Sequence, residues 1–275
     1  MPSMTTTPKL VIFTDLDGTL LDQDSYSFEN ALPALRAIRK KGIPLVFSSS
    51  KTRSEIEFYR EKMENNHPFI SENGGAVFIP EDYFSFSFSC DRESGNYSVL
   101  ELGTSYPRIV ALLDSVRKET GVPIKGFSDL TAEEISSLSG LSLQEAGFAK
   151  EREYDEPFLI EGGEQEVEKV RKKILEKGMN YVQGGRFHHI LGNNDKGRAV
   201  GILKHLFEKE LHSISAVGIG DSQNDLPMLL SVDYPILLRE NQTALPETLL
   251  SIQSLTVVDG KGSRAWNRAI LSFVN

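Results

Sequence analysis

The sequence predicts an α/β protein: a doubly wound, Rossmann-like, mainly parallel sheet core with an inserted α+β cap domain. Three observations carry that prediction. Apolar runs of strand length alternate with helical patterns in the first and last thirds of the chain, the order that builds a parallel sheet with right-handed crossovers. Acidic, hydroxyl and glycine residues cluster where those runs end, and open α/β sheets place their ligands at such strand ends. The middle third breaks the pattern with Phe84-Ser85-Phe86-Ser87-Phe88-Ser89, whose strict alternation is the signature of a strand with one solvated face.

The elements follow in order. Lys9-Leu10-Val11-Ile12-Phe13 is the opening strand, rich in β-branched and aromatic residues and too close to Gly18 to be a helix. Leu32, Leu35 and Ile38 are spaced for one helical face, with Gly42 as the stop. Pro44-Leu45-Val46-Phe47 reads as the next buried strand. Thr52 and Glu55 form a capping-box pattern opening a helix whose core face is Ile56, Tyr59 and Met63. Phe69-Ile70 is a further strand. The alternating run then fits an antiparallel sheet covered on one side. Helical spacing returns at Ile109, Leu112, Leu113 and Val116, and Thr131/Glu134 and Ser142/Glu145 cap two short helices. Phe158-Leu159-Ile160 and Asn180-Tyr181-Val182 bracket a helix ending near Gly178.

From Gly197 the first style resumes, with Ala199, Ile202, Leu203 and Leu206 inward on a helix, strands at 214–219 and 235–238, and a helix at 225–230. The expected division is a core of residues 1–84 and 186–275 interrupted by a cap of residues 85–185.

Composition narrows the function. A chain of 275 residues is long enough for one large domain or two smaller ones. The net charge of −9 argues against a nucleic-acid binder, which would present a basic face. The single cysteine, Cys90, cannot form an internal disulfide, which fits a reducing cytoplasm. No apolar stretch approaches the roughly 18 residues of a membrane span. Residues 1–8 are Thr-rich without a basic region or an apolar core, so they read as a frayed terminus and not as a secretory signal.

Four sites fall at strand ends or helix starts. The first is Asp15-Leu16-Asp17-Gly18-Thr19, after the opening strand. Alone it has two readings, an ordinary Asx turn or a pair of working carboxylates. The second is Ser48-Ser49-Ser50-Lys51, just before a helix N-terminus, where hydroxyls and free N–H groups suit a phosphate. The third is Asn194-Asp195-Lys196-Gly197, whose lysine can set a point charge on a phosphoryl oxygen. The fourth, Gly218-Ile219-Gly220-Asp221-Ser222-Gln223-Asn224-Asp225, lacks the third glycine of a dinucleotide loop and carries carboxylates suited to a hard cation. Asp15, Asp17, Asp221 and Asp225 would crowd like charges into one crevice, and Mg²⁺ with phosphate oxygens and waters would relieve them.

In this order, Asp15-Leu-Asp-Gly-Thr, Ser49, Lys196 and Gly220-Asp221-x-x-Asn224-Asp225 resemble the four motifs of the haloacid dehalogenase-like phosphatases. Ser49 stands where many relatives carry threonine. A closer resemblance, to the mannosyl-3-phosphoglycerate phosphatase branch, lies in Ser49-Ser-Lys-Thr-Arg-Ser-Glu, Pro68-Phe-Ile-Ser-Glu-Asn-Gly-Gly, Arg152-Glu-Tyr-Asp-Glu-Pro-Phe158 and Gly185-Arg-Phe-His-His189.

The resemblance implies a Mg²⁺-dependent phosphatase of a small phosphorylated sugar, mannosyl-3-phosphoglycerate first. Other sugar phosphates, such as sucrose phosphate or glucosyl-3-phosphoglycerate, and a phosphosugar mutase using the same chemistry are the alternatives. It implies Asp15 as nucleophile, Asp17 as acid and base, and Ser49 and Lys196 as phosphate-holding groups. Asp15, the Asp17 carbonyl, Asp221, Asn224 and Asp225 become the metal set. A substrate carrying a carboxylate calls for further cations, and Lys51 and Arg152 are the candidates together with Arg186 and the neighbouring Ser50. His188 and His189 sit on a strand and point to opposite faces, so they make a poor metal pair and read as packed or surface histidines.

Overall fold

The computed structural model describes residues 8–184, 187–240, 252 and 254–274. Its large sheet is built from β1 (Lys9–Thr14), β2 (Leu45–Ser48), β3 (Phe69–Ser71), β4 (Ala76–Pro80), β5 (Arg92–Ser94), β6 (Tyr97–Glu101), β11 (Ile214–Gly220), β12 (Tyr234–Arg239) and β13 (Thr256–Asp259). The smaller sheet holds β7 (Ile124–Gly126), β8 (Asp155–Ile160), β9 (Asn180–Gly184) and β10 (Phe187–Leu191). Among the described residues the large sheet runs β13-β12-β11-β1-β2-β3-β4-β6-β5. Neighbours from β13 to β3 pair in parallel, and β4, β6 and β5 join antiparallel. This is the mainly parallel core that the alternation of strands and helices predicts. No helix among the described residues is long and apolar enough to cross a membrane.

Helices cover both faces of the large sheet, and strand alternation decides which residues each face receives. Ile12 and Phe47 point into one core with Leu35 and Ile38 of α1 (Leu32–Lys40), Ile56 of α2 (Arg53–Lys62), and Trp266 and Ile270 of the C-terminal helix, numbered α9 (Gly262–Val274). Val11, Phe13 and Val46 point the other way, into Ala199, Leu203 and Phe207 of α7 (Lys196–Leu211) and Met228 of α8 (Leu226–Leu230). Because β1 is covered on both sides, Val11, Ile12 and Phe13 are all fully buried. The continuous apolar run of the sequence has this cause. The Thr52–Glu55 capping box opens α2 as expected, and those at Thr131/Glu134 and Ser142/Glu145 open α4 (Ala132–Ser139) and α5 (Leu143–Ala149).

The small sheet is antiparallel in the order β7-β8-β10-β9. One of its faces packs under α3 (Tyr106–Thr120) and α6 (Glu164–Glu176), through Ile109, Leu113, Val170 and Ile174 on Phe158 and Ile190. Its other face looks toward the carboxyl ends of the large sheet.

One expectation is corrected. Residues 84–89 form no strand. Phe84 stacks on Phe86 and meets Phe207 of α7 edge-on, Lys209 sits over Phe86, and Ser85 donates its N–H and hydroxyl to Glu210. Side chains of α7 thus satisfy this segment, where a strand would need a ladder. The β5–β6 hairpin, turning at Gly95, extends the large sheet from β4, and β10 lies inside the small sheet between β8 and β9. The change from one sheet to the other falls after Glu101 and back again after Leu191.

Candidate active site

Asp15 stands one residue past β1, where its N–H still bonds Ile219 O at 2.9 Å. Thr14 Oγ1 donates to the Asp15 carbonyl at 2.8 Å and accepts from Trp266 Nε1 at 2.9 Å, so α9 steadies this strand end. The chain then turns at Gly18, whose φ of +76° favours glycine. A Cβ there would also meet Asp221 Oδ2 at 2.7 Å, so Gly18 lets the Asp221 carboxylate approach the Asp15 loop.

Lys196 opens α7 behind an Asp195 cap that accepts the N–H groups of Gly197 and Arg198. Only 1% exposed, its ammonium lies 2.7 Å from Asp15 Oδ1 and 2.7 Å from Asp225 Oδ1. The other oxygen of Asp225 accepts N–H from Asp221 at 3.0 Å and Ser222 at 3.1 Å, tying up the loop after β11. Burial, the Asp225 charge and the Asp221 charge push the Asp15 carboxyl well above its usual range, against the pull of Lys196. Burial and Asp225 push Asp221 up to about 6. Burial alone would lower Lys196, but Asp15 and Asp225 outweigh it and hold it charged.

These raised carboxyls mark an excess of negative charge, and the donors fit a hard cation. One oxygen each from Asp15, Asp221 and Asp225 lies within 4.8 Å of the others, a set of oxygen ligands of the kind Mg²⁺ takes alongside water and phosphate. The Asp17 side chain is not part of that group. Asn224 donates to Asn73 Oδ1 at 3.2 Å and accepts from Ser222 Oγ.

Asp17 faces the other way. Its Oδ2 pairs with Lys51 at 3.1 Å, while its buried Oδ1 has no hydrogen-bond partner among the described residues. Lys51 is itself buried, 3.3 Å from Glu55 and within 5.0 Å of the Tyr26 ring. Burial opposes its charge, and Asp17 and Glu55 more than restore it. Sequence reasoning reads Lys51 as a substrate cation; in the structure its charge is already committed to the Asp17 carboxylate. Ser49 is fully buried and its Oγ accepts the Lys51 N–H at 3.2 Å, whereas Ser50 lines the cavity. Arg152 reaches in from the segment after α5, donating to Ser50 O and Ala149 O at 2.9 Å each, with Nη2 3.7 Å from Glu55. Arg186 lies outside the described residues.

A cavity of about 630 Å³ lies between these groups and the small sheet, reached by Asp15, Asp17, Asp221, Lys51, Arg152 and His189. It falls within the usual size of small-molecule sites. His189, read from the sequence as a packed or surface histidine, is nearly buried and paired with Asp155, which the sequence reading did not single out.

The turn between β3 and β4 fastens the site to its surroundings. Glu72 (φ 46°) and Asn73 (φ 59°) are left-handed, a conformation that costs energy outside glycine. The Glu72 carboxylate accepts the N–H groups of Glu153 at 2.9 Å and Tyr154 at 2.8 Å. Burial pushes Glu72 up to about 8, against the pull of Arg152. The folded protein therefore holds this proton more tightly than the unfolded chain, whose glutamate titrates near 4.5. Its contribution to stability is complete below that value and is lost as pH rises through about 8. Denaturant midpoints measured from pH 5 to 9 are expected to fall, and Glu72→Gln to flatten the slope.

Comparison with known proteins identifies the family. Residues 12–94 match the family model of the haloacid dehalogenase-like hydrolases. A glucosyl-3-phosphoglycerate/mannosyl-3-phosphoglycerate phosphatase of Methanococcoides burtonii is 46% identical over 266 residues, 97% of either chain. The chain belongs to the haloacid dehalogenase-like hydrolases. Within that family it is a phosphomonoester hydrolase. A mannosyl-3-phosphoglycerate phosphatase of Pyrococcus furiosus is 38% identical over 248 residues, covering 89% of this phosphatase and 97% of that relative. The fold of the phosphatase also matches a crystal structure from Thermoplasma acidophilum, with a TM-score of 0.69 at 20% identity over 97% of this chain and 99% of that one.

Proposed function

We propose that this phosphatase hydrolyses glucosyl- and mannosyl-3-phosphoglycerate with Mg²⁺, releasing phosphate and the glycosylglycerate. The observation that carries the reading is the meeting of Asp15, Asp17, Lys196 and Asp221, from three separate stretches of sequence, beside one cavity. The names of the relatives supply the substrate class.

Asp15 attacks phosphorus in line with the departing glycerate oxygen and becomes an aspartyl-phosphate. Asp17 gives its proton to that oxygen, then takes one from the water that hydrolyses the aspartyl-phosphate. Burial raises the Asp17 carboxyl against the pull of Lys51, in the direction that favours the proton-carrying form the first step uses. Lys196 sets positive charge beside the Asp15 oxygen as charge develops on the phosphoryl group. When bound, Mg²⁺ would neutralise the carboxylates and polarise phosphate oxygens, held by Asp15, Asp221 and the Asp17 carbonyl, with Asp225 alongside. Arg152 grips the glycerate carboxylate, and the small sheet with its helices acts as the cap that excludes water.

A panel of phosphorylated compounds tests the substrate. Both glycosyl-3-phosphoglycerates are expected to exceed glucose 6-phosphate and sucrose phosphate by roughly a hundredfold in kcat/KM, about two lost polar contacts in scale. Equal turnover across the panel sinks this reading. Chelation is expected to abolish phosphate release and Mg²⁺ to restore it; activity that survives exhaustive chelation rules out the metal role.

A further inference from the structure

Among the hydrogen-bonding side chains on the cavity wall that the reaction leaves without a task, His189 is the one held in a fixed orientation by a buried carboxylate. His189 lies on β10, its backbone paired with Pro157 of β8 on one side and Val182 of β9 on the other. Alternation turns it away from His188, which stacks on Tyr181 and bonds the tyrosine hydroxyl. Pro157, Val182 and Phe187 share the cavity wall with His189.

His189 Nδ1 is 3.1 and 3.0 Å from the two oxygens of Asp155. Asp155 is fully buried and also accepts from Asn73 Nδ2 at 3.1 Å. Facing a carboxylate, Nδ1 carries the hydrogen, which fixes both the tautomer and the plane of the ring. Among the described residues Nε2 has no hydrogen-bond partner, and the ring borders the cavity. A rigidly held imidazole with one free nitrogen, set among apolar neighbours, has the build of a recognition group.

The geometry points to His189 Nε2 as the contact for a hydroxyl of the substrate's glycosyl ring, with Asp155 as the residue that positions it. This deepens the substrate reading above and rests on it. The chemistry favours a neutral polyol ring at this wall. Pro157, Val182 and Phe187 suit the C–H face of a pyranose and offer nothing to an anion. Of the cavity's cations, Lys51 is paired with Asp17 and Glu55, and Arg152, although its Nη1 lies 4.0 Å from Asp155, spends its N–H groups on Ser50 O and Ala149 O. A hydroxyl both donates and accepts, so the contact forms whether Nε2 is bare or protonated.

The test compares mannosyl-3-phosphoglycerate with 3-phosphoglycerate, which lacks only the sugar, in the full chain and its His189→Ala, His189→Gln and Asp155→Asn variants. The unaltered protein is expected to favour the glycosylated substrate. His189→Ala should lower kcat/KM for it roughly five- to tenfold more than for 3-phosphoglycerate, the scale of one lost hydrogen bond. The loss should sit in KM, as expected for binding shared by ground and transition states. Asp155→Asn should move the ratio the same way, and His189→Gln, whose amide still bonds a hydroxyl, should recover part of it. Equal losses on both substrates, or an unchanged preference in variants that unfold at the original temperature, overturn the assignment. If the unaltered protein ignores mannosyl-3-phosphoglycerate yet hydrolyses other phosphates, the substrate reading falls first and this inference with it.

Discussion

Replacing Asp15 with asparagine is expected to cut phosphate release by about 10⁴-fold or more while leaving the protein folded. The size follows from the role: an amide cannot form the acyl-phosphate, and loss of a covalent nucleophile leaves only what binding and electrostatics contribute. The folding expectation follows from the surroundings. The substituted amide would still offer an oxygen to Lys196, which now sits 2.7 Å from Asp15 Oδ1. It would also remove one of the carboxylates that burial and like charge push toward protonation. Thermal unfolding should therefore occur at or above the original temperature. Phosphate release at the original rate would show that another group attacks phosphorus.

The second large effect belongs to Lys196→Met. Methionine fills similar space but strands the Asp15 and Asp225 carboxylates, both of which the ammonium contacts at 2.7 Å. Breaking a buried ion pair from one side costs about 3–5 kcal/mol, because the remaining charge keeps its desolvation penalty. For a chain of this size that is a drop of roughly 10 °C in Tm. The loss should shrink at low pH, since a stranded carboxylate recovers by taking up a proton and the penalty grows as pH rises. Adding Asp225→Asn should return part of the stability and none of the activity. Differential scanning calorimetry at pH 5 and pH 8 checks both statements, and a variant as stable as the original at pH 8 contradicts them.

Much of the core was legible because its signals are local. A strand covered on both faces must be apolar throughout, and Val11, Ile12 and Phe13 say so. A capping box is contained in four residues, and all three expected boxes formed. The approach of Asp15, Lys196 and Asp221 was legible only because each follows or precedes a recognisable element end. Other features depend on partners far away in sequence. Phe84-Ser85-Phe86 alternates like a strand, yet the aromatic face and Glu210 of α7 claim it. Lys51 reads as a free cation until folding sets Asp17 and Glu55 beside it. His189 looks ordinary until β8 brings Asp155 to its ring.

The two-sided attachment of Lys196 has a further consequence. On the proposed route Asp15 is consumed and regenerated in every cycle, giving one carboxylate oxygen to phosphorus and changing its own charge. A lysine anchored to Asp15 alone would lose its mooring at that moment. Asp225 takes no part in bond making, and backbone N–H groups of Asp221 and Ser222 hold its second oxygen. The ammonium thus keeps a permanent berth while the group beside it is chemically remade, so the enzyme need not reset its charge between the two halves of the turnover.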